Sequence, residues 1–513
     1  MGCKKFGLLW AVLFLVTVSP SVMASGEEDG NNYGNFGLLF FSFDGLMPIV
    51  YDSGSDYDQI DDDLVDEVEH DEEYRRDLIS ELPDDVLIRI LSFLNPEDAV
   101  LKTRFLSHRW KQLWEFWPAV FSFDGLITVD HGRDYAKCDD IDEPVDDKFM
   151  ENLERKRIEF VKWVSNVLIS HQGSTFDELR VRFDLIKDSR RDIDKWIEIA
   201  MRKKVKRLEL DIRPLLDWNF RTYYAFPQEC FHGIEFLDSL CLKHVEVTDK
   251  TMESILSNCP MLESLRLGNI NLLRHPKVSG SSLRLKHLHI SECQSVESIE
   301  VSAPNLVSFE YHEERLVTLD IRHAPKFTEL YYYKRPSSKI ADIVSQLSNY
   351  LPQLQILRLN ISSKDDLSMF PKCTNLRYLN CQVKIKSEDR LTNLRTLIEA
   401  SPYLCELKLE ITNFNHYRKN KSSLGKVDEV ELRPNQYMKK VEIVGFLGEM
   451  EEAEFVTYLV KSAINLEKII LHSDVCSLQI IYSEEFAEAT KQMAQNFARQ
   501  LLKNRPGVEL VLL

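Results

Sequence analysis

His287, His289 and Cys293 are the first side chains in this 513-residue sequence whose types and spacing suggest chemistry. Alternate residues of a strand share one face, so the two imidazoles would stand side by side with the thiol in the turn that follows. A closed zinc site takes four N or S ligands at short regular spacings, and this group falls short in both number and spacing. The ten cysteines contain no CxxC pair. Cys241, Cys259, Cys373 and Cys405 read instead as small buried hydrophobes at the edges of repeated segments. The sequence contains no GxSxG elbow, Walker loop, HExxH pair or kinase signature set. The expectation is a chain that is not an enzyme and that carries no metal and no cofactor.

What holds such residues in place is a repeat. Segments of the form L-x-L-x-L/I recur from about Met150, with cores at Leu179-Val181-Phe183, Leu208-Leu210-Ile212, Leu240-Leu242, Leu265-Leu267, Leu288-Ile290, Phe309-Tyr311, Leu330-Tyr332, Leu357-Leu359 and Leu407-Leu409. Near-copies precede three of them: Cys259-Pro260-Met261-Leu262-Glu263, Leu351-Pro352-Gln353-Leu354-Gln355 and Ser401-Pro402-Tyr403-Leu404-Cys405. Most intervals fall at roughly 21–32 residues, within or close to the range of leucine-rich repeats but irregular. Period 2 within each strand turns the leucines inward and the intervening residues outward. No repeat covers its own apolar face, so neighbours must stack, and the stacked strands should line a concave surface. Its outward side chains, Arg266, Arg358, Glu406 and Lys408 among them, form the candidate substrate face. Solvation is the ordinary use of any one such charge.

A second pattern precedes the repeats. Residues Asp77 to Pro118 read DLISELPDDVLIRILSFLNPEDAVLKTRFLSHRWKQLWEFWP. Pro83 suits the start of a helix, and Asp84 and Asp85 fall at its positive end. Leu82, Val86, Leu87, Ile90, Leu91 and Leu94 then build one wide apolar stripe. Asn95-Pro96 ends that helix, Pro96-Glu97-Asp98 opens a second, and Ser107 caps a third that contains Trp110, Leu113 and Trp114. Three short helices bury too little to stand alone, so a leftover apolar face is a docking face.

The runs Leu82-Pro83, Ile90-Leu91-Ser92-Phe93-Leu94 and Leu106-Ser107-His108-Arg109-Trp110 closely resemble the plant F-box. Phrases such as Ala303-Pro304-Asn305-Leu306 and Ala324-Pro325-Lys326-Phe327 are similar to the irregular leucine-rich repeats of plant F-box proteins. Met438 to Phe446, Glu454-Phe455-Val456 and Ala463 to Glu467 resemble the FBD-type segment that ends many of them. The resemblance implies a short three-helix F-box followed by an irregular leucine-rich-repeat α/β solenoid, a horseshoe. It implies a substrate-recognition adaptor of an SCF-type cullin-RING ubiquitin ligase, with Leu82, Pro83, Ile90, Leu91, Leu94, Leu106 and Trp110 meeting a Skp-type adaptor and the repeats meeting a protein substrate. The expected divisions are a signal-like segment over 1–24, an acidic and disordered leader over 25–76, the F-box over 77–120, repeats over 121–430 and an FBD-like segment over 431–513 that continues the solenoid.

Charge and the N-terminus set two further expectations. Of the net −18, a surplus of 11 lies in Asp52 to Asp77, where thirteen carboxylates meet two arginines. With no basic stripe, nucleic acid is not an expected partner. Lys4-Lys5, the apolar run Phe6 to Val18 and small residues near Ala24 have the three parts of a secretory signal peptide, and the run is short for a membrane span. An F-box needs a cytosolic or nuclear partner, so that segment conflicts with the cytoplasmic or nuclear location expected here. The alternative is a secreted or membrane-associated leucine-rich-repeat binding protein. In it Asn360 and Asn420 would be glycosylation acceptors, and removal of Cys3 would leave an odd nine cysteines. The hexapeptide Phe41 to Leu46 recurs as Phe121 to Leu126, and the second copy is expected to form the first strand after the F-box.

Overall fold

The structure, a computed structural model, describes residues 82–91, the single positions 109 and 113, residues 120–125 and most of 147–512, the longest interruptions being 414–432 and 473–483. Two compact units divide the chain, Met1–Phe93 and Leu94–Leu513. The described part of the first is helix α1 (Asp84–Leu91) with the two residues before it. The amides of Val86 and Leu87 donate to the Pro83 carbonyl at 3.1 and 3.0 Å. Pro83 therefore stands one residue ahead of the helix, and Asp84 and Asp85 occupy the first turn, where the dipole favours carboxylates. Leu87 is buried, while Pro83 and Val86 are exposed. The second and third expected helices lie outside the described residues, apart from helical positions Arg109 and Leu113; so do the first FSFDGL copy and the segment 1–24.

In the second unit, fourteen parallel strands form one sheet: β1 (Val120–Asp124), β2 (Glu178–Arg182), β3 (Arg207–Asp211), β4 (Ser239–Lys243), β5 (Ser264–Gly268), β7 (His287–Ser291), β9 (Ser308–His312), β11 (Glu329–Tyr333), β12 (Ile356–Ser362), β13 (Tyr378–Ile385), β14 (Glu406–Asn413), β15 (Lys440–Val444), β16 (Lys468–His472) and β17 (Glu509–Leu512). Three more, β6 (Lys277–Ser279), β8 (Ser298–Ser302) and β10 (Thr318–Arg322), make a second parallel sheet. The second FSFDGL copy supplies β1, with Phe121 and Phe123 buried. Gly125 follows because a Cβ there would lie 2.5 Å from the Phe183 ring.

Register explains the core. Leu208, Leu240, Leu265, Leu288, Phe309 and Leu330 are Cα partners on successive strands, and each is at most 1% exposed. Helices α2 (Asp147–Ser170), α3 (Arg190–Arg202), α4 (Asp249–Asn258), α5 (Ile340–Leu347), α6 (Thr392–Glu399), α7 (Met450–Ser462) and α8 (Glu484–Leu502) run between the strands. In α3 the buried residues are Ile193, Trp196, Ile197, Ala200 and Met201, a stripe at three- and four-residue spacing. The Trp196 indole N–H donates to the Ser165 hydroxyl on α2 at 2.9 Å, so this large side chain is buried without an orphaned donor.

The irregular period has a geometric cause. The interval from Leu240 to Leu265 holds the ten-residue helix α4, whereas the shorter interval from Leu288 to Phe309 holds the five-residue strand β8. Ten helical residues and five extended ones both span roughly 15–17 Å. A strand therefore returns the chain across the repeat with fewer residues, and where three such returns are neighbours they pair as the second sheet. At the end of the shorter interval the ring of Phe309 takes a leucine's place in the core. The long interval between Leu357 and Leu407 conceals β13, whose inward residues are Leu379, Cys381 and Val383. In the main sheet three of the turns that end strands place a non-glycine residue at positive φ: His244 (55°), Asn269 (53°) and Glu292 (53°). Their amides donate to the last carbonyl of the next strand, at Gly268, Ser291 and His312, which holds the left-handed conformation in place.

Candidate surface on the open face of the sheet

The outward residues of the strands stand in rows set by the register. One row runs Arg180, Glu209, Cys241, Arg266, His289, Glu310, Tyr331, Arg358, Asn380, Lys408 and Glu442. Three of the four expected face residues, Arg266, Arg358 and Lys408, lie in this row. Glu406 lies in the row before it, between Tyr378 and Lys440.

Their surroundings differ. Lys408 reaches Glu442 at 3.4 Å and Glu410 at 3.5 Å, and Glu406 lies 3.8 Å from Lys440. These charges are neutralised within β14 and by the adjacent β15. Arg266 is exposed, and Arg358 is half-buried with its guanidinium carbon 4.6 Å from the centroid of the Tyr331 ring and 5.6 Å from that of Tyr378. Its Nε is buried with no hydrogen-bond partner. Sequence alone does not make Tyr331 and Tyr378 legible as partners of Arg358: they lie a repeat away on either side, and only the parallel register makes them neighbours.

Nearer the β1 edge of the sheet the outward charges pair with one another. Arg180 bridges Glu178 at 2.7 Å and Glu209 at 2.9 Å, and Arg207 holds Glu178 at 2.8 Å. Asp211, 1% exposed, meets His244 Nδ1 at 2.9 Å, Arg213 at 3.3 Å and Arg182 at 3.4 Å. Burial pushes the Asp211 carboxyl up, but the His244 hydrogen bond and the neighbouring cations outweigh it and hold the group below the ordinary carboxylate value.

The three residues first considered for metal chemistry do not converge. The His287 ring pairs with the Ser308 hydroxyl at 2.8 Å, His289 pairs with Glu310 at 2.8 Å, and Cys293 is buried beside the carbonyl of Ser291 at 3.2 Å. Among the described residues no group of three or more His, Cys, Asp or Glu side chains is placed to hold a metal ion. Cys241, Cys259 and Cys373 are buried, whereas Cys405 is half-exposed. Burial pushes the Cys241 thiol up to about 11 and that of Cys293 to about 12, which keeps both protonated and unreactive. Cys405 lines a cleft of about 410 Å³ with Tyr437, Lys439 and Glu467, at the edge where strands begin. Lys439 is already paired there with Glu467 at 2.8 Å.

Of the expected adaptor-contact residues, Leu82 is half-buried and Pro83 exposed at the start of α1, and Ile90 and Leu91 lie within that helix. Leu94, Leu106 and Trp110 lie outside the described residues. Among the described residues no helix is long and apolar enough to cross a membrane.

Comparison with known proteins agrees with this organisation. The F-box domain profile matches residues 79–116, and the leucine-rich-repeat domain profile named for At1g61320/AtMIF1 matches 224–504. An FBD-associated F-box protein of Arabidopsis thaliana, At1g61330, is 25% identical over 449 residues, covering 77% of this chain and 90% of that protein. The F-box/FBD/LRR-repeat protein At4g00160 of the same plant is 26% identical over 434 residues, 77% of this chain and 85% of its own. A third, the F-box/LRR-repeat protein At3g03360, is 30% identical over 256 residues, 45% of this chain and 46% of its own. With the repeat profile spanning more than half of its length and an F-box match ahead of the repeats, the chain belongs to the At1g61320/AtMIF1-type leucine-rich-repeat family, and its relatives include FBD-associated F-box and F-box/FBD/LRR-repeat proteins of Arabidopsis.

Proposed function

We propose that this chain is the substrate-recognition adaptor of an SCF-type cullin-RING ubiquitin ligase. The observation that carries the reading is the union, in one chain, of an F-box match over residues 79–116 and a repeat sheet with a long polar open face. The F-box binds a Skp-type adaptor through Leu82, Pro83, Ile90, Leu91, Leu94, Leu106 and Trp110, and the adaptor holds the cullin scaffold. The repeats bind a protein substrate. This chain breaks no bond: tethering raises the local concentration of substrate lysines beside the charged conjugating enzyme, which turns a bimolecular encounter into an intramolecular one. Such work takes place in the cytoplasm or nucleus. Exposed Pro83, just ahead of α1, and Val86 in its first turn suit the docking role, because apolar side chains at the start of a short helix gain most from a partner that covers them.

The test is co-purification of the cullin scaffold with the tagged full-length chain in plant cells. Recovery of the scaffold with the wild type, and its loss with the Leu82→Ala/Trp110→Ala double variant, is the expected result. Equal recovery with both proteins would remove the ligase reading.

A further inference from the structure

Arg358 differs from the other cations of its row in what surrounds it. The rings of Tyr331 and Tyr378 flank its guanidinium at 4.6 and 5.6 Å, an arrangement that fixes the plane of the group and strips water from its faces. Its Nε is buried and unpaired, and its terminal nitrogens, which donate no hydrogen bond within the described residues, reach solvent. No carboxylate among the described residues lies within ion-pairing distance of Arg358 or of Arg266. The outward carboxylates two strands away on either side have other donors: Glu310 on β9 pairs with His289 at 2.8 Å, and Glu410 on β14 accepts from Asn380 at 3.2 Å and lies 3.5 Å from Lys408. The His289 bond is the main cause that holds the Glu310 carboxyl below its ordinary value, with Arg358 and Arg266 acting on it only through space. A rigid, stacked fork with an open edge suits a planar anion that accepts two parallel N–H bonds.

We infer that Arg358, clamped between Tyr331 and Tyr378, is the anchor for an acidic segment of the recruited protein, which offers an Asp or Glu carboxylate to the guanidinium edge. This rests on the reading of the repeats as a substrate surface and names the chemistry of what they take. Arg266 stands four strand steps from Arg358 in the same row. At about 4.8 Å per step the two cations are up to roughly 19 Å apart. An extended chain covers that distance in about six residues, so a segment with two carboxylates at that spacing engages both. An extended protein segment suits this spacing better than a small anion, which would reach one of the cations alone.

The experiment is selection of a displayed library of random dodecapeptides on the purified full-length chain, followed by affinity measurement of one selected peptide. Asp or Glu at a fixed position among the enriched sequences is the expected result, with a tenfold or greater affinity loss for Arg358→Gln, as for a lost charge-assisted hydrogen bond. Arg358→Lys, which keeps the charge and loses the fork, should fall between them. Arg266→Gln, at an exposed position that folding does not depend on, should weaken peptides with two spaced acids and leave those with one unchanged. Absence of acidic enrichment, or equal affinity of the wild type and Arg358→Gln for the selected peptide, would overturn the inference. Skp-type adaptor binding, measured on the same proteins, separates the two readings. Acidic selection without adaptor binding defeats the ligase reading alone, and adaptor binding without acidic selection defeats the anchor alone.

Discussion

Two regions of the polar face handle charge in opposite ways. On β2 and β3 every arginine meets a carboxylate of its own or a neighbouring strand, and a second group of cations gathers on buried Asp211. On β11 to β13 the central arginine is held by aromatic rings and meets no carboxylate among the described residues. The first arrangement satisfies itself and contributes to folding; the second fixes a cation in place while leaving its charge for a partner. A charged face is thus not uniformly a binding face: what distinguishes the two is whether the donors are already used.

Substitutions can break or sharpen that contrast. The largest effect is expected from the core common to both regions. Leu288→Ala, in the middle of the inward ladder, should cost about 3 kcal/mol in chemical unfolding. Asp211→Asn should cost about 3 kcal/mol as well, because it leaves Arg182, Arg213 and His244 around a buried site with no anion.

That carboxyl also predicts a pH dependence. Its folded pKa lies below the unfolded value of about 3.9, so its contribution is present above pH ~4 and is lost as the pH falls through the folded value. Stability measured from pH 5 downward should fall less steeply for Asp211→Asn than for the wild type. A smaller effect is expected on the open side: Arg358→Gln should change stability by no more than about 1 kcal/mol, the size of a partly exposed cation–π contact, while it alters binding. Glu406→Gln, in an exposed pair with Lys440, should be the least consequential, at roughly 0–0.5 kcal/mol by thermal melting. If Arg358→Gln proved as destabilising as Asp211→Asn, the distinction between a folding network and an open cation would fail.

The repeat strands are visible in the sequence because alternation of leucine with polar residues is a local signal. All nine strand cores identified from it lie in or directly beside strands of the main sheet. Strand β13 escapes because Asn380 and Cys381 follow Leu379 where the pattern calls for a charge and a leucine, although Cys381 is as buried as its neighbours. The second sheet escapes for a different reason: β6 has only three residues, and β8 and β10, though as long as most main-sheet strands, lie between strand cores where the repeat pattern calls for a helical or polar stretch. The face residues are legible as outward positions but not as a site. Whether Lys408 is paired or Arg358 is open depends on which strand lies beside it, and strand neighbours a full repeat away in the chain are set by repeat length. Of the F-box, the start of α1 matches the expected place, with Pro83 just outside the helix instead of within its first turn.

The central claim is that the chain docks a Skp-type adaptor through its F-box, and the most direct measurement is titration of the purified full-length protein with a purified plant Skp-type adaptor. A saturable one-to-one complex that is weakened at least tenfold by Leu82→Ala/Trp110→Ala, in a variant whose repeats still melt as the wild type does, is the predicted result. No complex with the wild type, or one that the double substitution leaves unchanged, would contradict it.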